Sequence, residues 1–274
     1  MATAGDKLGQ YTLHELINSG GQSEIWLATD DAGRSFAVRL LLNDSVFAFT
    51  EKGRFNTGAE ILRDCQDDHY IIGYVEHGKI GGHRALVMEY VEGANLKLLL
   101  AAADPVLTDH LAEVLLDFAM ALEVVHDRGY MHLDVKPENV LLSRNGRLKL
   151  IDFDLAQPIP RPPRKLDKLS GTPAYMAPEQ LLKQPVDHRA DIWAYGVSAY
   201  ELLTLRKPFP GENADEVLRR QIDRSDFLRP RELNGDIPAD LERILLRCLE
   251  RDPAARYPIL GVLVHELRQA LYVP

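Results

Sequence analysis

One stretch, Tyr130 to Leu142 with the sequence YMHLDVKPENVLL, constrains this chain more than any other. It places a carboxylate, an ammonium and an amide a few residues apart, on Asp134, Lys136 and Asn139, between two apolar runs. Polar groups between hydrophobic segments are typical of a loop that carries chemistry on a rigid scaffold. We therefore expect the rest of the chain to build a scaffold around this loop.

A second acidic segment, LKLIDFDLA, follows and contains Asp152. The motif HLDVKPEN resembles the catalytic loop of protein kinases, HRDxxxxN, and Asp152 lies at the aspartate of their DFG motif. A lysine two positions after the catalytic aspartate, here Lys136, is typical of the serine/threonine branch of that family. The chain is thus identified as a member of the eukaryotic-like (Hanks-type) serine/threonine protein kinase family, and the resemblance implies ATP and Mg²⁺ as cofactors.

The same resemblance implies a role for each polar group of this site. Asp134 would accept the proton of the substrate hydroxyl, and Lys136 would neutralise charge on the γ-phosphate. Asn139 and Asp152 would hold Mg²⁺. Two neighbours depart from the family pattern: Leu133 replaces the arginine of HRD, and Asp154 replaces the glycine of DFG.

Length and composition indicate one bilobal domain. With 274 residues, 46% of them hydrophobic, the chain can bury a sizeable core. The resemblance implies an α+β, bilobal protein-kinase-like fold over residues 1–274. A small β-rich N-lobe with one main helix would occupy about 8–91 and a larger helical C-lobe about 92–274.

Charge and hydropathy exclude several classes of protein. A net charge of −9 argues against a surface built for nucleic-acid phosphates. No apolar run approaches the roughly 20 residues of a membrane span, and the N-terminal MATAGDKLGQ lacks a signal-peptide core. We expect a cytoplasmic protein with no transmembrane segment. Cys65 and Cys248 lie in unrelated contexts and are expected to be reduced core thiols.

Alternating apolar and polar residues between Tyr11 and Leu42 predict a three-stranded antiparallel meander. Its first turn lies where kinases carry GxGxxGxV, a hairpin that covers the ATP phosphates. Gly20 is the middle glycine of that pattern, whereas Asn18 replaces the first and Ser23 the third. The resemblance assigns four residues of this hairpin to nucleotide binding: Ile17, Gly20, Gly21 and Ile25.

The strand FAVRLL carries the most informative departure. In the VAIK pattern of kinases, a lysine binds the α- and β-phosphates and pairs with a helix glutamate. Arg39 stands at the position of that lysine, and the resemblance places Ala37 in the nucleotide pocket. Arginine keeps the charge but replaces a compact ammonium by a broad planar fork, so we expect weaker positioning of ATP. The loss of two loop glycines as well favours natural divergence over an engineered change.

Residues 51–66 have helical spacing of apolar side chains and correspond to the helix that carries the paired glutamate. Alignment to the usual FxxEAxxL places Gly58 at the glutamate position, whereas counting back from HYII places Glu60 there. We favour Glu60. If Gly58 is correct, both partners of the usual ion pair are missing.

The next two strands, IIGYVEHGKI and HRALVMEYV, lead into the position of the kinase hinge. By resemblance, the backbone of Glu89 and Val91 would contact adenine, and Leu141 would contribute to the nucleotide pocket. Further on, GTPAYMAPE, DIWAYGVSAYELLT and CLERDPAARYP resemble conserved structural segments of the family. They imply that Asp191 braces the catalytic loop and that Arg256 pairs with Glu179.

Two functions are therefore compatible with the sequence. The first is a serine/threonine protein kinase of impaired activity that transfers the ATP γ-phosphate to a protein hydroxyl. The second is a catalytically inactive pseudokinase that binds or scaffolds a regulatory protein partner. Retention of the polar groups for metal and hydroxyl favours the enzyme, because buried carboxylates are costly without partners.

Overall fold

The N-terminal part of the chain is one antiparallel sheet with a single helix packed on it. The structure is a computed structural model that describes residues 2–42 and 49–272, without the side chain of Phe49. The sheet has six strands in the order β1-β2-β3-β4-β6-β5, and the predicted meander of residues 11–42 is present as β2, β3 and β4. The bounds are β1 Lys7–Leu8, β2 Tyr11–Ser19, β3 Ser23–Thr29, β4 Ser35–Leu41, α1 Phe49–Cys65, β5 Tyr74–Ile80 and β6 His83–Glu89.

Strand register sorts the side chains of this sheet onto two faces. In β4, Val38 and Leu40 join an apolar cluster with Tyr11 and Trp26 on the outer face. Alternate residues of a strand point to opposite faces, so Arg39 lies on the other face, toward the helical part of the molecule. Its directly paired residues are Ile25 on β3 and Leu86 on β6.

The C-terminal part is mainly helical and surrounds the long helix Arg189–Thr204, α6. Almost every residue of α6 is buried, and the rings of Trp193 and Phe209 stack at 5.5 Å beside it. This confirms the predicted α+β, bilobal kinase-like class, while the exact lobe limits stay a prediction. The remaining elements are β7 Gly93–Asn95, α2 Leu96–Ala102, α3 Pro105–Thr108, α4 Leu111–Asp127, β8 Tyr130–Met131, β9 Val140–Ser143, β10 Leu148–Leu150, β11 Gln157–Pro158, α5 Pro178–Leu181, α6 Arg189–Thr204, α7 Ala214–Asp223, α8 Pro230–Leu233, α9 Ala239–Cys248 and α10 Leu260–Leu271.

A buried ion pair ties the start of α5 to the segment before α10. Arg256 donates through Nη1 to Glu179 Oε1 at 2.7 Å and through Nη2 to Oε2 at 2.8 Å. Both side chains are buried, and the guanidinium also donates to main-chain carbonyls. The pairing implied by the sequence is therefore present, in the bidentate geometry that favours arginine.

Both cysteines, Cys65 and Cys248, are buried and unpaired with each other. Burial raises the pKa of the Cys65 thiol to about 12, which keeps it protonated and unreactive. Within residues 2–42 and 49–272, no helix combines the length and the apolar character that crossing a bilayer requires.

Asp191 at the start of α6 holds the loop after β8 in place. Its carboxylate is wholly buried and accepts hydrogen bonds from the amides of His132 at 2.7 Å and Leu133 at 2.8 Å, and it lies 2.8 Å from His126 Nε2. Burial alone would raise the pKa of Asp191, but these hydrogen bonds and nearby imidazoles hold it below its ordinary value.

We predict that Asp191→Asn lowers the free energy of unfolding by about 3 kcal/mol, because an amide cannot replace a buried carboxylate that accepts from several donors. The folded pKa is depressed, so this stabilisation is fully present above the unfolded pKa of about 4 and disappears as the pH falls through the folded value. Urea unfolding at pH 7 and pH 3 measures the difference. The exposed Asp240→Asn is the matched control, and equal losses in both variants would contradict the prediction.

Candidate active site

The loop between β8 and β9 brings the three predicted polar residues together. Asp134 Oδ2 accepts from Lys136 Nζ at 2.8 Å and from Asn139 Nδ2 at 2.8 Å. Asn139 Nδ2 also donates to the main-chain carbonyl of Asp134 at 2.8 Å. Within the described ranges, Asp134 Oδ1 accepts no hydrogen bond. One carboxylate oxygen is therefore fixed, and the other is left for a ligand.

Thr172 connects this loop to the GTPAYMAPE segment. Lys136 Nζ donates to Thr172 Oγ1 at 3.1 Å while it is paired with Asp134. Gly171, directly before it, has φ +117°, a conformation that residues with a Cβ rarely adopt. The threonine hydroxyl thus lies beside the ammonium of Lys136, which is itself paired with Asp134.

The loop after β10 carries the predicted metal ligand Asp152 and is named the metal-binding loop for that prediction. Asp152 has a left-handed conformation, with φ +63°. The ring of Phe153 packs edge-on to His132 with centroids 5.0 Å apart, and His132 Nε2 lies 3.1 Å from the carbonyl of Ile151. His132 is wholly buried, so it braces the loop rather than facing a substrate. This packing directs Asp152 toward the space between the sheet and the helical part, where about a third of its side chain is exposed.

Arg39 of β4 reaches this loop with a two-pronged set of hydrogen bonds. Its Nη1 donates to Asp154 Oδ1 at 2.9 Å and to Asp152 Oδ1 at 3.1 Å, and its Nη2 donates to Asp154 Oδ2 at 2.6 Å. Nε donates to Ser23 Oγ at 3.1 Å. The guanidinium is thus committed to two carboxylates and a hydroxyl.

Electrostatics at this cluster reflect burial as well as charge. Burial alone would lower the pKa of Arg39, but the carboxylates of Asp152 and Asp154 outweigh it and raise the pKa above its ordinary value. Burial raises the pKa of Asp154, an effect that Arg39 opposes and the charge on Asp152 reinforces. The cluster holds a permanent cation between two carboxylates.

Gly58 and Glu60, the two candidates for the glutamate position of helix α1, lie in different environments. Glu60, which we favoured, is exposed, whereas Gly58 is buried against the metal-binding loop. A Cβ on Gly58 would lie 2.8 Å from the main-chain carbonyl of Phe153 and 2.9 Å from the Cα of Asp154. Gly58 therefore faces the site, and the hydrogen bonds of Arg39 within the described part of the chain go to Ser23, Asp152 and Asp154.

The predicted nucleotide residues lie around the cleft between the sheet and the helical part. Ala37 is paired with Met88 across β4 and β6 and lies on the same sheet face as Arg39. Leu141 is on β9, in the helical part. In the hairpin, Ile17, Gly20 and Gly21 are exposed and Ile25 is half-buried. These positions are compatible with a nucleotide between two apolar walls, and their contacts with ATP stay a prediction.

At the predicted hinge, the side chain of Glu89 is occupied by structural contacts. Its Oε1 accepts from Lys149 Nζ at 2.7 Å and from the amide of Gly73 at 3.0 Å. The backbone of Glu89 also donates to the carbonyl of Gly73 at 2.8 Å. Val91 follows at the junction and is half-buried.

Sequence reasoning missed the partner of Arg39. Asp154 was recognised only as a departure from DFG, and its role in the ion cluster was not anticipated. The sequence does contain a signal for this partner. Position 39 retains a cation, position 58 has no carboxylate, and position 154 has an additional carboxylate. The three departures are complementary in charge, although distant in sequence.

The donor groups fit a hard divalent cation. Asn139 uses its amide nitrogen for Asp134, which leaves the amide oxygen, and Asp152 uses one carboxylate oxygen for Arg39. Mg²⁺ takes one or two protein oxygens together with substrate phosphates and water. The described residues contain no cluster of three His, Cys, Asp or Glu side chains for a metal held by protein alone. The site fits the ATP phosphates less well than the metal, because Arg39, at the position of the phosphate-binding lysine, is already paired with Asp152 and Asp154.

Comparison with known proteins agrees with this geometry. Residues 11–268 match the protein kinase domain family. A probable serine/threonine-protein kinase of Streptomyces coelicolor is 31% identical over 91% of this chain and 38% of its own length. PknL, a serine/threonine-protein kinase of Mycobacterium tuberculosis, is 32% identical over 90% of this chain and 62% of its own. PknB, a serine/threonine-protein kinase of Mycolicibacterium smegmatis, is 29% identical over 94% of this chain and 42% of its own length.

The chain thus spans about two-fifths to three-fifths of the length of these relatives. The matched segment runs from the start of β2 into α10 and includes the catalytic loop, the metal-binding loop and Arg39. From this match and the geometry of the site, the chain belongs to the eukaryotic-like protein kinase family.

Proposed function

We propose that this chain is a serine/threonine protein kinase that transfers the γ-phosphate of Mg²⁺-ATP to a hydroxyl of a protein substrate. The observation that carries the proposal is the geometry of Asp134, which is fixed through one oxygen by Lys136 and Asn139 and presents the other. The names of the serine/threonine kinases that it resembles support the same reaction class.

Each residue of the loop has a chemical task in this proposal. Asp134 orients the substrate hydroxyl and accepts its proton, which makes the oxygen a better nucleophile. Lys136, 2.8 Å from Asp134, stabilises negative charge that develops on the transferred group. Asn139 and Asp152 would hold Mg²⁺, and the bound ion would neutralise part of the negative charge of the ATP phosphates. Thr172, in the GTPAYMAPE segment, fixes the ammonium of Lys136 through its hydroxyl.

We propose that turnover is slow. The lysine of the family template binds the α- and β-phosphates as a compact ammonium. Arg39 instead lies within hydrogen-bond distance of Asp152 and Asp154, so its contact with a phosphate competes with two carboxylates. Since catalysis of this reaction is mainly positioning and charge stabilisation, weaker phosphate binding lowers the rate.

A second candidate is a catalytically inactive binding module. The observation that favours it is the same commitment of Arg39, which neutralises the metal-binding carboxylate Asp152 without any nucleotide. In that case the chain would act through a regulatory protein partner. The two candidates differ in whether Mg²⁺-ATP binds and whether phosphate is transferred.

We predict that Mg²⁺-ATP raises the Tm of the native protein by about 5–11 °C and that Asp152→Asn abolishes the shift. Ligand at about 100 times its Kd adds about 2.7 kcal/mol, and 1 kcal/mol corresponds to about 2–4 °C in a chain of this size. Thermal melting with ATP, with and without Mg²⁺, makes the measurement. Asp226→Asn, at an exposed site remote from the loop, should retain the shift. A native protein that shows no shift favours the binding module.

We also predict that Asp134→Asn lowers phosphoryl transfer to a generic protein substrate by about a hundredfold to ten-thousandfold, the usual contribution of a positioned base. The Mg²⁺-ATP thermal shift should persist in this variant, because Asp134 is not among the residues assigned to the metal. Radiolabelled phosphate transfer and thermal melting are compared on the same samples. Transfer that is unchanged by Asp134→Asn would contradict the assignment.

A further inference from the structure

Three departures from the kinase pattern meet at one point of the structure. Arg39 replaces a lysine on β4, Gly58 stands where the helix glutamate is expected, and Asp154 replaces the glycine of DFG. The Arg39 guanidinium lies against Asp154, and the backbone of Gly58 lies against Phe153 and Asp154. The three residues are thus neighbours, although 115 positions separate the first and last.

We infer that Arg39 and Asp154 form a built-in clamp that holds the metal-binding loop against the sheet without any carboxylate from α1. Asp154 is therefore a positioning residue for Asp152, two residues before it. The inference deepens the proposed function and rests on it only for the consequence for catalysis. The clamp itself is a property of the protein without nucleotide.

The contacts of the clamp are those of a strong ion pair. Arg39 makes two roughly parallel hydrogen bonds to the two oxygens of Asp154, at 2.9 and 2.6 Å. Only 12% of the Arg39 side chain and 23% of the Asp154 side chain are exposed. A bidentate, partly desolvated arginine–carboxylate pair is geometrically specific and little screened by salt.

The arginine is suited to this arrangement in a way that lysine is not. Its Nη1 serves Asp152 and Asp154 together while Nη2 serves Asp154 and Nε serves Ser23. A lysine ammonium is a single point of charge and cannot form the parallel pair to one carboxylate while it also contacts the other groups. The replacement of lysine by arginine therefore fits the extra carboxylate at position 154.

Helix α1 is shaped to accept the clamp but does not take part in its charge pairing. Gly58 lets the helix backbone approach the loop, since a Cβ there would lie 2.8 Å from the carbonyl group of Phe153. Phe55, one turn earlier, lies under the guanidinium, with the Arg39 Cζ 5.7 Å from the ring centroid. The helix thus contributes an aromatic face and a close contact in place of a carboxylate.

The consequence concerns regulation. In the kinase template, the ion pair between the strand lysine and the helix glutamate must be in place for activity, so the position of the helix controls the enzyme. Here both charged partners lie outside α1, on β4 and on the metal-binding loop itself. The charge pairing that positions Asp152 therefore needs no carboxylate from α1, and the helix acts on the loop through the packing of Gly58 and Phe55.

A double-mutant cycle tests the clamp without reference to activity. Arg39→Met removes the cation and leaves Asp154 buried without its partner, which should lower the Tm by on the order of 10 °C. Asp154→Asn should lower the Tm by less, because Arg39 keeps its hydrogen bond to Asp152. The double variant should be more stable than Arg39→Met alone, because it no longer buries an unpaired charge at position 154. Independent losses that add in the double variant would overturn the inference.

Hydrogen exchange supplies the positional readout. Exchange in a peptide covering residues 150–158 should accelerate in Asp154→Asn and in Arg39→Lys, which remain available if Arg39→Met does not fold. The α1 control Glu60→Gln should leave exchange there and the Tm unchanged, since Glu60 is exposed. Acceleration by Glu60→Gln, or none in either clamp variant, would show that the loop is positioned by something else. Both readouts use nucleotide-free protein, so they stand even if phosphoryl transfer is absent.

Discussion

A fully buried carboxylate, Asp191, fixes the loop on which every other part of the site is built. It satisfies the amides of His132 and Leu133, and Leu133 has φ +62°, a left-handed conformation that costs a residue with a Cβ roughly 1–2 kcal/mol. Asp152 has the same conformation at φ +63°. Such conformations persist only where surrounding contacts impose them. Asp191 imposes the first, and Arg39, through its hydrogen bond to Asp152, contributes to the second.

Charge balance connects the two halves of the cleft. Three carboxylates converge there, on Asp134, Asp152 and Asp154, against two cations, Lys136 and Arg39. Without a ligand the site carries one excess negative charge and is therefore suited to a cation rather than to a free phosphate. Mg²⁺-ATP would bring its own cation, whereas ATP alone would meet carboxylates. This favours metal-dependent nucleotide binding over binding of nucleotide by itself.

Local motifs predicted the fold and the catalytic loop well, and the ion cluster poorly. The sheet meander, the brace at Asp191 and the Glu179–Arg256 pair follow from motifs whose residues have one structural role. The partner of Arg39 was not predicted, because the complementary charges at positions 39 and 154 are distant in sequence and the face that α1 turns to the loop was not known. Glu60 and Gly58 differ by two positions, about 200° around a helix, so a small alignment error exchanges an exposed residue for a buried one.

That geometry makes the three departures depend on one another. A glutamate at position 58 would collide with the backbone of Phe153 while Asp154 is held by Arg39, because the loop lies too close to α1. A glycine at position 154 would leave Arg39, among the residues that the structure describes, with Asp152 and Ser23 as hydrogen-bond partners, and position 58 of the helix offers no carboxylate. A lysine at position 39 could not form the two parallel hydrogen bonds that the Arg39 guanidinium makes with Asp154. Each residue is therefore compatible with the other two and not with the family residue, so the cluster has to be treated as a unit in its effect on Asp152.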